Sequence, residues 1–182
     1  MNDSQISVRY AKALFKSAQE SDQADKIFAD MEMMLDTCKV KEFKEMLEMP
    51  VISSEQKYKI TIEVFKARIS ALTESLIKLV MDNRRENYLP GIARHYLALY
   101  KKHKGIKTAS ILTATTIDDS TLKRLKEIVK KALKADVDLS SAVEESVIGG
   151  FILTVEDQQY DASVASGLKK MKKQLLETSV IK

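Results

Sequence analysis

Apolar residues recur every three or four positions from Ile6 to Tyr100, and at Ile106 the period drops to two. A period near 3.6 makes helices and a period of two makes strands, so this one change divides the chain into two kinds of structure. Residues 4–20, with Asp3 or Ser4 as the cap, carry a wide apolar surface built from Ile6, Tyr10, Ala11, Leu14, Phe15 and Ala18. Residues 22–38 repeat the pattern, and a short helix with Val40, Phe43, Met46 and Leu47 must stop before Pro50. Ser53 and Gln56 have the spacing of a capping box. Ser70 to Arg85 is apolar round most of its circumference, which predicts burial on several sides. Asn87 is placed to cap a last helix, with Pro90 in its tolerant first turn and Gly105 at its end. Residues 1–104 therefore read as five or six helices in a bundle, and residues 105–182 as a small α/β domain.

The second part opens on a strand at Ile106–Ala114. Asp118 then caps a helix, with Ile117 packing on Leu122 as a hydrophobic staple. Leu122, Leu125, Val129, Ala132 and Leu133 form that helix's inner stripe. Val137–Val143 gives a second strand, and the pair Gly149–Gly150 introduces a third, Phe151–Val155. With apolar residues on both its faces, that third strand is expected to be central and covered. Glu156–Gln159 is polar enough to turn the chain, and Asp161 to cap a final helix with Val164, Leu168, Met171 and Leu175 inward.

Composition narrows the function by exclusion. A single cysteine, Cys38, rules out an internal disulfide and a zinc site built on several thiolates. No apolar run approaches the ~20 residues that span a bilayer, and the N-terminus resembles neither a signal nor a transit peptide, so a cytoplasmic protein, peripheral at most, is expected. Phosphate loops, nucleophile elbows and His-Glu-x-x-His metal motifs are absent. Residues 1–100 hold 15 Lys+Arg against 15 Asp+Glu, whereas residues 101–182 hold 15 against 11, so the net charge of +4 lies in the second part. Its basic faces would suit RNA, an anionic membrane surface or an acidic protein, and solvated faces are the ordinary outcome. The two over-apolar segments, 4–20 and 70–85, are the strongest positive signal. Either the bundle buries them itself, or together they leave a groove for a partner's amphipathic helix.

Three motifs in register carry a family resemblance. Arg9-Tyr10-Ala11-Lys12-Ala13-Leu14-Phe15 with Ala18, then Leu79 with Asn83-Arg84-Arg85, Tyr88-Leu89-Pro90 and Ile92, then Val147-Ile148-Gly149-Gly150-Phe151-Ile152 with Asp157, Asp161 and Ser163, resemble the delta subunit of F-type ATP synthases. This is also the family of the oligomycin-sensitivity-conferring protein. The resemblance implies a mainly α fold, a six-helix N-terminal bundle (1–104) followed by a small α/β domain with a short mixed sheet (105–182). It implies a non-catalytic stator subunit without cofactor or metal, peripheral on the cytoplasmic face of a bacterial plasma membrane. The bundle would hold the N-terminal helix of an alpha subunit through Tyr10, Ala11, Ala13, Leu14 and Ala18 with Leu76, Ile77, Val80, Asn83 and Arg84. The second domain, marked by Gly149, Gly150, Asp157, Asp161 and Ser163, would hold the b subunits of the peripheral stalk. Nucleic acid is not an implied partner, and the membrane is reached only through the complex. Two departures stand out: Glu145-Ser146 where the family often has Asp-Pro, and Glu156-Asp157 where it often has Gly-Asp, which removes the expected turn glycine.

Overall fold

The computed structural model describes residues 5–65, 68–116, 118–133, 135–144 and 147–179. The expected cap at Asp3 or Ser4, the staple residue Ile117 and the Glu145-Ser146 departure lie outside the described residues, as do the side chains of Ala132 and Leu175. The chain is mainly helical and divides into two compact units, Met1–His103 and Lys104–Lys182.

The first unit contains α1 (Gln5–Glu20), α2 (Ala24–Thr37), α3 (Lys41–Glu48), α4 (Ser54–Phe65), α5 (Ala71–Asp82), a 3-10 turn (Glu86–Tyr88) and α6 (Leu89–Lys104). One hydrophobic core joins them, with Tyr96, Phe65, Ile27, Met31, Ile77, Val80 and Ile92 among its buried side chains. Each such aliphatic or aromatic side chain contributes roughly 1.5–3 kcal/mol on burial. The methionines Met31 and Met34 fill this core, while Met49 is exposed on a loop.

Helix ends follow local chemistry. Ser53 and Gln56 form the reciprocal capping box: the Gln56 amide donates to Ser53 Oγ at 3.3 Å and the Ser53 amide to Gln56 Oε1 at 3.2 Å. Asn87 is not the cap of α6, because it lies inside the 3-10 turn and α6 begins two residues later. At the end of α1 the Gln23 amide bonds Ala18 O at 2.9 Å, and at the end of α5 the Arg85 amide bonds Val80 O at 2.9 Å. Both are Schellman closures, and both put a non-glycine residue in the left-handed region, Asp22 at φ 53° and Arg84 at φ 54°.

The second unit is built on a four-stranded mixed sheet in the order β2-β1-β3-β4, from β1 (Lys107–Thr113), β2 (Val137–Val143), β3 (Phe151–Val155) and β4 (Gln158–Asp161). β1 and β2 are parallel and so need a crossover, which α7 (Asp119–Leu133) supplies; Asp118 caps it by accepting from the Thr121 amide at 3.2 Å. β3 is antiparallel to both of its neighbours. Its expected double coverage is only half met. Leu153 and Val155 pack with Ala109 and Val137 against Val129 and Leu133 of α7, but Phe151, on the same face, is exposed. The opposite face pairs Ser110 with Thr154 and Leu112 with Ile152, all half-buried and half of them polar. The expected turn is also shorter than the polarity suggested. Only Glu156 and Asp157 turn the chain, and Gln158–Asp161 continues as the edge strand β4.

That two-residue turn forces Glu156 to φ 51°, where an L side chain crowds the following carbonyl at about 1–2 kcal/mol. Glu156→Gly should relieve the crowding and lose part of the gain to a looser unfolded chain. We expect a net stabilisation of about 0.5–1 kcal/mol, read as a higher urea midpoint. A lower midpoint would show that the exposed Lys107–Glu156 pair outweighs the backbone conformation. The final helix, α8 (Val164–Ser179), follows β4 directly.

Candidate functional site

The segments carrying the first two motifs are neighbours: α1 packs against α5. On α1 the residues Ser7, Ala11, Leu14 and Ala18, spaced four, three and four apart, are all buried. They are mostly small, so neighbouring helices come close. Gly91 of α6 meets this stripe, and a Cβ there would stand 2.6 Å from Ser7 Oγ. Leu76, Ile77 and Val80 form the matching buried stripe of α5.

Both ends of α5 are pinned. At its start Ser70 Oγ accepts from the Thr73 amide, and the Ser70 amide donates to the buried carboxylate of Asp30 on α2 at 2.8 Å. At its end the left-handed Arg84 reverses the chain so that Arg85 turns back to α1. The Arg85 guanidinium donates to Tyr10 Oη at 3.2 Å and lies 5.8 Å from the centre of the Tyr10 ring.

These contacts sort the ten partner-binding candidates into two groups. Ala11, Leu14, Ala18, Leu76, Ile77 and Val80 belong to the unit's own core and are at most 7% exposed. They are the floor on which the two helices meet. Tyr10 is half-buried, and Ala13, Asn83 and Arg84 are exposed, so these four reach solvent. Two residues outside the candidate set belong with them. Leu79, 52% exposed, sits three residues after Leu76 and four before Asn83 on the same helical stripe. Arg85 clamps Tyr10 from the other helix. The spacing of Leu79 was the available signal for the first; for Arg85 there was none, because its contact joins residues 75 apart in sequence.

The C-terminal signature is brought together as a joint. The Val164 amide donates to Gly149 O at 2.9 Å and the Ala162 amide to Phe151 O at 3.0 Å, so the glycine pair lies against the start of α8. Gly150 has φ 79°, and a Cβ on it would come within 2.3 Å of Ala162 O. No other residue fits there. The helix cap is Ser163 rather than Asp161. Ser163 Oγ accepts from the Ser166 amide at 3.2 Å, the bond a cap makes to its third helical residue. Asp161 stands two residues earlier and accepts from the Ser163 amide at 2.8 Å and from the Ser166 hydroxyl. Hydrogen bonds from Ser163 and Ser166 hold its carboxyl down at about 2. Asp157 is exposed in the hairpin turn.

Among the described residues no three His, Cys, Asp or Glu side chains converge as a metal site would need. Burial raises the Cys38 thiol to about 11, the wrong direction for a nucleophile. His103 sits edge-on to Phe15, with ring centres 5.6 Å apart. Among the described residues no helix is long and apolar enough to cross a membrane.

The family model described as ATP synthase delta (OSCP) subunit matches residues 6–175. A chain named ATP synthase subunit delta from Parabacteroides distasonis is 34% identical over 173 residues, which cover 94% of this chain and 96% of that one. Its namesake from Amoebophilus asiaticus is 36% identical over 172 residues, covering 93% and 94%. Among solved structures, a chain of the Toxoplasma gondii mitochondrial ATP synthase hexamer superposes with a TM-score of 0.78 at 24% identity, over 95% of this chain and 98% of that chain. At that identity the superposition speaks for the fold alone.

Proposed function

The chain belongs to the ATP synthase delta (OSCP) subunit family, and from that premise we propose that the α1–α5 face grips the N-terminal helix of an alpha subunit while the C-terminal unit holds the b subunits of the peripheral stalk. The protein is a structural subunit of the synthase, with no active site of its own. Its work is to link the catalytic head to the stalk. In this reading residues 1–104 act as one six-helix bundle, residues 105–182 as the stalk-facing domain, and the whole lies at the cytoplasmic face of the membrane that carries the complex. The alternative, a basic RNA- or membrane-surface-binding protein, has no support from family membership.

The task is mechanical. A rotor turning inside the head exerts torque on it, and rotation drives synthesis only if the head is held still. A helix laid in a groove resists that torque through buried area and shape, with no covalent step. The groove must therefore have a rigid floor and an accessible rim. The six buried candidates supply the floor, and Tyr10, Ala13, Leu79, Asn83 and Arg84 the rim.

The observation that carries this assignment is Leu79, a half-exposed leucine between the closed floor and the polar residues Asn83 and Arg84. It also supplies the test. A charge at Leu14 or Val80, both buried, would act through the core and could not separate binding from folding. Leu79→Glu should leave the melting curve unchanged, because the side chain already meets water. It should weaken binding of a peptide from the alpha N-terminus at least tenfold, about 1.4 kcal/mol, by isothermal titration calorimetry. A folded Leu79→Glu variant that binds as the parent does would sink the groove assignment.

A further inference from the structure

We propose that the cavity between the start of α1, the α2–α3 corner, α3 and the start of α6 binds a small organic anion, an apolar body carrying a carboxylate, sulfonate or phosphate. The cavity measures about 540 Å3, within the usual range for sites that bury a small ligand. It lies wholly in the first unit. None of its lining residues belongs to α5 or to the rim proposed for the alpha-subunit helix, so it is separate from the partner-helix groove.

Its floor is made of small and apolar groups. Ser7 and Gly91 meet there, the buried Cys38 and Leu47 lie beside them, and Pro90 is half-buried. Ser7 is 2% exposed, and its hydroxyl makes no hydrogen bond among the described residues. The hydroxyl lies over Gly91, where an added Cβ would come within 2.6 Å of it. A close helix crossing explains why residue 7 is small, but alanine would serve that purpose and favours the helix more. The hydroxyl itself is what packing leaves unexplained. A buried polar group without a partner is costly, and in a cavity wall a ligand atom can supply the missing partner.

Charge selects the kind of ligand. Lys39, Lys44 and Arg94 line the mouth against one carboxylate, Glu48, and all four residues are exposed. Lys44 reaches Glu48 only at 3.9 Å, and Lys39 holds Asp36, which is not a lining residue, at 2.7 Å. Exposed pairs of this kind contribute little and give way to a better partner. An anionic head at the mouth gains charge-assisted hydrogen bonds from Lys44 and Arg94, while Leu47, Pro90 and Tyr88 take the apolar body. An inorganic ion would leave that floor in water, and a neutral apolar molecule would leave the cations unused.

The test uses the full-length protein and two fluorescent probes: anilinonaphthalene sulfonate, an apolar body with an anionic head, and phenylnaphthylamine, the same body without the charge. The sulfonate dye should saturate a single site and bind about tenfold more tightly than the neutral one. Lys44→Glu with Arg94→Glu should weaken the sulfonate dye about tenfold and leave the neutral dye and the melting curve unchanged. Lys26→Glu with Lys59→Glu alters the net charge equally at exposed positions that do not line the cavity, and should leave the sulfonate affinity as it was. Cys38, the only cysteine in the chain and a lining residue, reports where the dye sits. With the sulfonate dye at about ten times its Kd, alkylation of Cys38 by iodoacetamide should slow about tenfold, in proportion to the remaining free protein. Dye binding that never saturates overturns the site, as does an affinity that the Lys44, Arg94 reversal leaves unchanged or that the control pair lowers as much. Saturable binding with no change in the Cys38 alkylation rate places the dye elsewhere and overturns it too.

Discussion

Lys57→Met will destabilise the N-terminal unit by about 3–5 kcal/mol, the usual cost of breaking a buried ion pair from one side. Lys57 is 3% exposed, and its ammonium donates to Leu47 O at 2.6 Å and to the carboxylate of Glu86, itself 8% exposed. These contacts tie α4 to the last turn of α3 and to the 3-10 turn that feeds α6. Removing the ammonium leaves a carboxylate in the interior whose second oxygen already has no partner among the described residues. It also orphans the Leu47 carbonyl. The side chains of lysine and methionine are similar in length, so lost packing is a minor part of the effect. The double variant Lys57→Met, Glu86→Leu should recover most of the loss, because two apolar groups in contact do not pay for dehydrating charge. Urea unfolding followed by circular dichroism reads both numbers. If the single variant stays within about 0.5 kcal/mol of the parent, the pair is more hydrated than its geometry implies.

That latch also marks the limit of what the sequence discloses. The change of period at Ile106, the box at Ser53–Gln56 and the extent of β2 were legible because each depends on neighbours within a few residues. Lys57 and Asp30 were not, since a charged residue on a helix is normally solvated and only the packed fold reveals that these two are inside. The same limit explains the site. Periodicity says that Ala11, Leu14, Ala18, Ile77 and Val80 must leave water, but not whether this chain or another covers them; here this chain does. For α8 the ambiguity ran the other way. Val164, Leu168 and Met171 have the spacing of a core stripe and remain in solvent. Errors at single caps were smaller in kind. Asp161 and Ser163 can both accept amide hydrogen bonds, and a shift of two residues decided between them only when β4 took up Gln158–Asp161.

Asp30→Ala should cost about 3–5 kcal/mol, and unlike the Lys57 variant it should also weaken binding at the proposed groove. Asp30 is 3% exposed, and one of its oxygens, Oδ2, accepts from the Ser70 amide at 2.8 Å, from Ser70 Oγ at 2.7 Å and from Thr73 Oγ1 at 2.7 Å. All three donors are buried and stand at the start of α5, where the helix dipole also favours a negative charge. Alanine removes the acceptor and leaves the donors in place, each at about 1–3 kcal/mol if it finds no other partner; local relaxation keeps the total below their sum. Asp30→Asn keeps one acceptor oxygen and loses the charge, so its cost should fall between parent and alanine. Asp30 lies on α2, and these hydrogen bonds run to Ser70 and Thr73, not to a rim residue. Any effect on the alpha-subunit peptide must therefore pass through the position of α5, which carries Leu79, Asn83 and Arg84. Peptide affinity should fall in the order parent, Asp30→Asn, Asp30→Ala under conditions where all three remain folded. Equal affinities would mean that the rim keeps its geometry without this anchor, and that the rigidity a stator needs comes from the core and the Arg85–Tyr10 clamp alone.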